Sequence, residues 1–250
     1  MKRNFLKTAA LLLALGLMLT MSAPARAADL LIAQAANFMP AMAEIIPAFE
    51  AASGIKAEAT YASTGKLYAQ ISNGSPHDLF LAADEKRPNK LFADGLAEKP
   101  FVYALGKVVF WSLKQELCNR PWHEAAMDAS AIKVAVANTE TAPYGTAAML
   151  AMQKTDIWDS MQPKLVFGQS IAQAFQFAQT GAADAGFVAY SSVFTELGRK
   201  GCFTPMVEAP PVVQSACLLK SAPHPEAARK FIEFLTSPEV KSIKAKFGYE

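Results

Sequence analysis

Twice along the chain, short apolar runs alternate with amphipathic stretches of helical length, and this alternation restricts the fold more than any other feature. A run at 30–33 is followed by a helical pattern over 40–53, with Pro40 at its start and Gly54 just past its end. These residues suit a first helical turn and a left-handed stop. Pro47 inside the pattern predicts a kink, because its ring removes an N–H and crowds the preceding turn. An alternating strand at 56–61, a helix at 66–73 closed by Gly74, a strand at 79–82 and a helix after Asp84 complete the first set. A β-α-β-α-β succession predicts parallel strands covered by helices on both faces.

The second set has strands at 108–113 and 134–137, a helix beginning near Gly145, a strand at 164–167, a helix at 171–180 and a strand at 185–189. Strands near 203–207 and 212–219 follow, then an amphipathic helix over 225–236 that buries Ala228, Phe231, Ile232 and Leu235, and a last helix over 238–247. No low-complexity stretch or long linker separates the two sets. The reading is therefore an α/β chain of two lobes, each a mostly parallel sheet flanked by helices, joined by extended strands near Lys107 and Ser215. One lobe takes 28–107 and 216–250; the other takes 108–215.

The first 27 residues read as an export signal. Lys2, Arg3 and Lys7 precede an apolar run from Ala9 to Thr20, and Ala25-Arg26-Ala27 supplies a small-x-small cleavage pattern. The run is about a dozen residues, too short for a spanning helix, which needs roughly 20. Removing the signal changes the charge balance. The whole chain has 24 Lys+Arg against 22 Asp+Glu; four of the basic residues and none of the acidic ones lie in the signal, which leaves 20 against 22, a net −2. A mature chain of that charge offers no general positive field, which excludes a nucleic-acid surface or a polybasic membrane surface. If it binds an anion, a few oriented dipoles must hold it. Cys118, Cys202 and Cys217 match no metal-ligand spacing. Three pairings are open in an oxidising compartment, Cys202 with Cys217 being the nearest in sequence, and one thiol is left over.

Enzyme motifs are incomplete. Ser63-Thr64-Gly65-Lys66 has the Ser-x-x-Lys spacing of an exported serine hydrolase, but Ser-Asp-Asn and Lys-Thr-Gly triplets are absent. As a phosphate loop it lacks the upstream glycine, and Leu67 stands where Ser or Thr should hold a magnesium ion. His77, His123 and His224 read as surface or turn residues, outside any His-Glu-x-x-His. Four strand-to-helix junctions do share a character: Ala36-Asn37, Ser63-Thr64-Gly65, Tyr144-Gly145 and Gln169-Ser170-Ile171. Each stands at a helix N-terminus, where backbone N–H groups lack partners and the dipole is positive, a ready anion site. Taken singly, each is also an ordinary helix cap.

These residues resemble the molybdate-binding periplasmic receptors of ATP-driven transporters, within the type II solute-binding superfamily. The resemblance covers essentially the whole mature chain. It is carried by Ala33-Gln34-Ala35-Ala36-Asn37-Phe38 and by Tyr61-Ala62-Ser63-Thr64-Gly65-Lys66-Leu67 with the following Gly74-Ser75-Pro76-His77-Asp78-Leu79-Phe80-Leu81-Ala82-Ala83-Asp84. Pro143-Tyr144-Gly145, Ala185-Gly186-Phe187-Val188 and the closing Phe247-Gly248-Tyr249 add to it. The resemblance implies a two-lobed periplasmic binding protein with a ligand cleft between the lobes, no enzyme activity and no cofactor. Its partners would be an oxyanion (molybdate, tungstate or sulfate) and the membrane permease of an ABC transporter, with the receptor itself a monomer. Position by position, it implies an ion held by Ala36, Asn37, Ser63, Thr64, Tyr144 and Ile171 through hydroxyls and backbone N–H groups, without a direct metal ligand. Many members place a tyrosine directly after the Gly-x-Val segment; here Ala189 is there and Tyr190 follows one residue later. One residue along a strand reverses the side chain's face, so Tyr190 is expected to point away from the ion and the Tyr144 loop to replace it.

Overall fold

The computed structural model describes residues 28–250, so the export signal read at 1–27 lies outside the described residues. The chain begins with β1 (Leu30–Ala35), a 3₁₀ turn (Ala36–Phe38), α1 (Met39–Ser53), β2 (Ala57–Ala62), α2 (Thr64–Ser72), β3 (Leu79–Leu81), α3 (Lys86–Ala93) and β4 (Phe101–Gly106). It continues with β5 (Val108–Ser112), α4 (Trp122–Met127), β6 (Val134–Ala137), α5 (Pro143–Lys154), α6 (Trp158–Met161), β7 (Leu165–Gly168), α7 (Ile171–Gln179), β8 (Ala185–Ala189), α8 (Tyr190–Val193) and β9 (Cys202–Pro205). β10 (Val212–Leu218), α9 (Pro225–Leu235) and α10 (Pro238–Lys246) complete it. Among the described residues no helix is long and apolar enough to cross a membrane.

Two five-stranded sheets form, in the orders β2-β1-β3-β10-β4 and β7-β6-β8-β5-β9. The repeated βαβ pattern yields the parallel trios β2-β1-β3 and β7-β6-β8. The other pairings are antiparallel, β10 with β3 and β4, β5 with β8 and β9. The sheets are thus mixed rather than mostly parallel. Only a crossover helix returns a strand in the same direction, and β5 and β10 instead cross over from the opposite lobe.

The chain passes between lobes at Lys107 and again in the stretch 206–211. β10 already pairs with Gly106 at Val212, so the second crossing precedes Ser215, which instead sits at a register shift inside β10. The sequence reading did not include β4, although an apolar run between Pro100 and Gly106 has the length of a buried strand. Pro47 lies within α1, and the helix continues through it to Gly54 at φ +71°. Ala43 and Pro47 are both exposed, so water can satisfy the carbonyl that Pro47 cannot bond.

Each sheet has its own core. Phe38, Ile45, Phe49, Phe231 and Leu235 are buried in the first lobe, with Phe49 edge-on to Phe231 at 5.0 Å. In the second, Phe110, Trp122, Val134, Met152 and Phe187 are buried. Burying such a side chain contributes about 1.5–3 kcal/mol. Ile232 on α9 is only partly buried. His77, read as a surface or turn residue, is buried at its turn, with 9% exposed and Nδ1 3.0 Å from Ser75 Oγ.

Of the three open pairings, Cys118 bonds Cys202 across 84 residues, tying the turn after β5 to β9. Cys217 remains a thiol in the core of the first lobe, where burial pushes its pKa up to about 12. Cross-linking so long a loop restricts the unfolded chain by up to about 4.5 kcal/mol on the chain-entropy scale. Replacing Cys118 and Cys202 together by alanine is expected to lower stability by about 2–4.5 kcal/mol, read as a lower urea midpoint. An unchanged midpoint would show that the bond adds nothing.

Candidate functional site

The lobes touch across the cleft at the C-terminal ends of their parallel strands. Gly65 N–H donates to Thr141 O at 2.8 Å, and Ser63 Oγ lies 3.4 Å from Thr141 Oγ1. Asn138 Oδ1 takes the Thr141 N–H and hydroxyl, which fixes that loop. Arg87, paired with Asp84, donates to Glu140 O at 2.8 Å, and the Lys66 ammonium donates to Gln169 Oε1. A Cβ on Gly65 would stand 3.0 Å from Thr141 Cα, Cβ and O, so any side chain there would press on the Thr141 loop across this approach of the lobes.

Between these contacts lies a small cavity lined by Ala36, Asn37, Ser63, Thr64, Tyr144 and Ile171, with Ala35, Ala62, Ala83, Ala142 and Pro143 completing its wall. All six residues singled out in the sequence therefore meet at one place. The cavity leaves about 10 Å³ for the centre of a water-sized sphere. Adding that sphere's own radius gives a void of about 2.7 Å radius, the scale of one tetrahedral ion and much too small for a sugar or peptide. No Asp, Glu, Lys, Arg or His belongs to the lining.

Helix starts supply the polar groups. Pro143 opens α5 without an N–H, so Tyr144 and Gly145 carry its first free donors. Gly145 is required there because a Cβ would fall 2.2 Å from Ala137 O at the end of β6. Ile171 opens α7 behind Ser170, whose Oγ accepts from Gln173 N. Thr64 opens α2, and its Oγ1 accepts from Ala83 N–H at 3.0 Å, which leaves the hydroxyl proton to be donated. Ser63 makes only the long contact to Thr141, so its hydroxyl is available as well. The neighbouring Lys66 reaches across to Gln169 rather than to Ser63, which leaves the hydroxyl without the base a hydrolase would need.

Asn37 is 2% exposed, and its side chain is committed behind the cavity. Its Nδ2 donates to Gln214 Oε1 at 2.8 Å, Tyr249 Oη at 3.0 Å and Tyr144 Oη at 3.3 Å. Gln214 is itself oriented, accepting from the Tyr103 hydroxyl and donating to the Tyr144 oxygen. Asn37 O accepts from Ser191 Oγ and Tyr249 Oη, each at 2.8 Å. The Tyr144 hydroxyl thus belongs to this buried junction, which leaves the N–H of this first helical turn as the donor Tyr144 still has free. Burial raises the pKa of Tyr103, Tyr144 and Tyr249, the last to about 12, so all three stay protonated. Asn37 Oδ1 is buried without a partner.

Tyr190 does not line the cavity. It is the first residue of α8 rather than a displaced strand residue, and its ring packs on Phe194 and Phe203 at 4.8 and 5.4 Å. The sequence reading missed Tyr103, Ser191 and Gln214 and used Tyr249 only as a mark of the superfamily. Their sole local signal is a polar residue in an otherwise apolar strand, as at Gln214. Among the described residues, no group of three or more His, Cys, Asp or Glu could hold a metal ion.

Gly65→Val should prevent the lobes from reaching this contact. Small-angle scattering is expected to show a more extended particle than the wild type under conditions where the wild type is compact. An unchanged scattering curve would mean that the Thr141 loop yields to the side chain.

Residues 30–250 match the family model of the bacterial extracellular solute-binding protein. The chain is 38% identical over 238 residues to the molybdate-binding protein ModA of Rhodobacter capsulatus, covering 94% of both chains. It is also 38% identical over 231 residues to ModA of Azotobacter vinelandii, covering 90% of this chain and 91% of that one. The solved Azotobacter vinelandii periplasmic molybdate-binding protein superposes with a TM-score of 0.83 at 31% identity, covering 88% of this chain and 98% of that one. The match runs over nearly the whole described chain, both lobes included, and the chain belongs to the bacterial extracellular solute-binding protein family.

Proposed function

We propose that the protein captures molybdate, or the like-shaped tungstate, between its lobes in the periplasm and delivers it to the membrane permease of an ABC transporter. The observation that carries this reading is the cavity of single-ion size, lined from both lobes by hydroxyls and helix N-termini and by no ionisable charge. Two relatives named for molybdate, each 38% identical over most of the chain, support the choice of ion. In this reading a signal at 1–27 is removed, lobes of 28–106 with 212–250 and of 108–205 close on the ion as a monomer, and no chemical step or cofactor is involved. The ion would be held by the N–H groups at Ala36, Asn37, Tyr144 and Ile171 and by the Ser63 and Thr64 hydroxyls.

The physical case is one of desolvation. A dianion taken out of water without hydrogen bonds would be prohibitively costly, so each oxygen needs donors. Donors fixed at helix ends meet it with little reorganisation, and bonds to a charged acceptor are the stronger kind. Closure around the ion then presents the permease with a shape that the open form lacks.

Ion preference follows from the donors. Molybdate, tungstate and sulfate carry no proton near neutral pH and only accept. Phosphate carries a hydroxyl that needs an acceptor, and the lining holds no carboxylate. The buried Asn37 Oδ1 is a neutral amide oxygen and a weaker substitute. An unpaired hydroxyl costs roughly 1–3 kcal/mol. In a thermal-shift panel on dialysed protein, molybdate and tungstate are expected to raise the midpoint strongly, sulfate less, and phosphate least. Phosphate displacing bound molybdate at comparable concentration at pH 7 would contradict a site built from donors.

Ser63→Ala should weaken molybdate binding by roughly 1.5–3 kcal/mol, the range for a bond to a charged group. Asn37→Ala keeps the backbone N–H but frees the turn that carries it, so it should also weaken binding and should destabilise the ion-free protein by about 1–3 kcal/mol, since Gln214, Tyr249 and Tyr144 lose the buried amide. Tyr190→Phe should leave affinity within error. Titration calorimetry on the three variants checks this, and wild-type affinity in both alanine variants would put the ion elsewhere.

A further inference from the structure

We infer that Tyr249, the penultimate residue, is a positioning residue of the ion site, acting through Asn37 and coupling the chain's C-terminal end to lobe closure. This rests on the oxyanion reading above. The Tyr249 hydroxyl accepts from Asn37 Nδ2 at 3.0 Å and donates to Asn37 O at 2.8 Å. One oxygen therefore closes a ring between the Asn37 side chain and its own main chain, fixing the side-chain rotamer and the peptide plane together. Asn37 lies in the 3₁₀ turn whose N–H groups face the ion in the proposed site, so a small rotation there moves a donor directly. Two second-lobe groups also reach this junction. Ser191 donates to the same Asn37 carbonyl, and the Tyr144 hydroxyl lies within hydrogen-bond reach of Tyr249.

The tail that carries Tyr249 is held across the hinge. Glu250 and Leu105 exchange backbone hydrogen bonds, N–H to O at 2.7 and 3.2 Å, so the last residue lies along β4. The Glu250 carboxylate pairs with Lys107, the residue at which the chain leaves the first lobe. Gly248 turns at φ +72° directly against second-lobe rings, where a Cβ would fall 2.6 Å from Tyr190 and 2.9 Å from Phe194. Phe38, next to Asn37, stacks on the Tyr249 ring at 4.6 Å. Three residues of tail thus touch the first lobe, the second lobe and the crossing between them. Separating the lobes would pull Ser191 and Tyr144 away from Asn37 and leave Gln214 on its amide and Tyr249 on both amide and carbonyl.

Tyr249→Phe removes one oxygen and keeps the ring, and Asn37 retains Gln214 and Ser191, so the variant is expected to fold with an ion-free unfolding midpoint close to wild type. Titration calorimetry with sodium molybdate should show affinity lowered about tenfold. In an Asn37→Ala background the same change should lower it less than about threefold, because the amide half of the ring has gone and only the bond from Tyr249 to the main-chain carbonyl is left to lose. A merely structural role would give equal losses in both backgrounds, and that result would overturn the inference. So would unchanged affinity in the single variant while the wild type binds. A wild type that takes up neither molybdate nor tungstate would instead overturn the oxyanion reading, and this role with it.

Discussion

Asn37 is held at once by the end of the chain, by a strand of its own lobe and by two residues of the opposite lobe. Its donors fix the amide's orientation, because turning it over would set Oδ1 against Gln214 Oε1, two acceptors facing each other in a low-dielectric interior. The partners are constrained in turn. Gln214 is oriented by Tyr103, and a Cβ on Gly106 would fall 2.0 Å from the Tyr144 hydroxyl, so the crossing strand beside it must be bare. The cavity is the front face of this junction. Its shape is set by polar groups that never need to touch a ligand.

The cavity's neutrality has the same origin. Nearby ionisable groups are occupied elsewhere: Arg87 with Asp84 and the Glu140 carbonyl, Lys66 with Gln169, Lys107 with Glu250. They form bonds around the cleft's edges and leave the interior to dipoles. Fixed dipoles suit reversible capture, since they are already oriented when an ion arrives and no side chain must be neutralised when it leaves. A buried cation would hold an anion more strongly, but without the ion it would be an uncompensated charge, which is costly.

The sequence made the parallel trios and the cavity residues legible for one reason: both are local. A strand that stops and a helix that starts leave free N–H groups at a known place, so Ala36-Asn37, Ser63-Thr64, Tyr144 and Ile171 could be named from spacing and caps, and the resemblance to a known family then gathered them into one site. The junction behind them was not legible. Asn37 meets Tyr144, Gln214 and Tyr249 over separations of 107, 177 and 212 residues. A buried glutamine in an apolar strand, or a tyrosine next to the last residue, carries no mark of its distant partner. The same limit explains the disulfide, where the nearest cysteine in sequence was not the nearest in space. It also explains the mixed sheets, because the direction of β5 and β10 depends on which lobe each comes from.

The strand order has a bearing on how such a chain is assembled. β10 lies between β3 and β4 and pairs with both. Residues 30–106 therefore cannot complete their sheet when they emerge; they hold an open slot until residues 212–218 arrive. The five strands of the second sheet, β5 to β9, belong to one continuous stretch of chain, so the second lobe has no such wait. In a chain that reaches its compartment N-terminus first, the inserted lobe can finish folding while the outer one is still incomplete. The final forty residues then act as a closing wedge, delivering Gln214 and Tyr249 to Asn37 only after everything else is in place. A chain cut short before them would have one sound lobe, one open sheet edge and no junction behind the cavity.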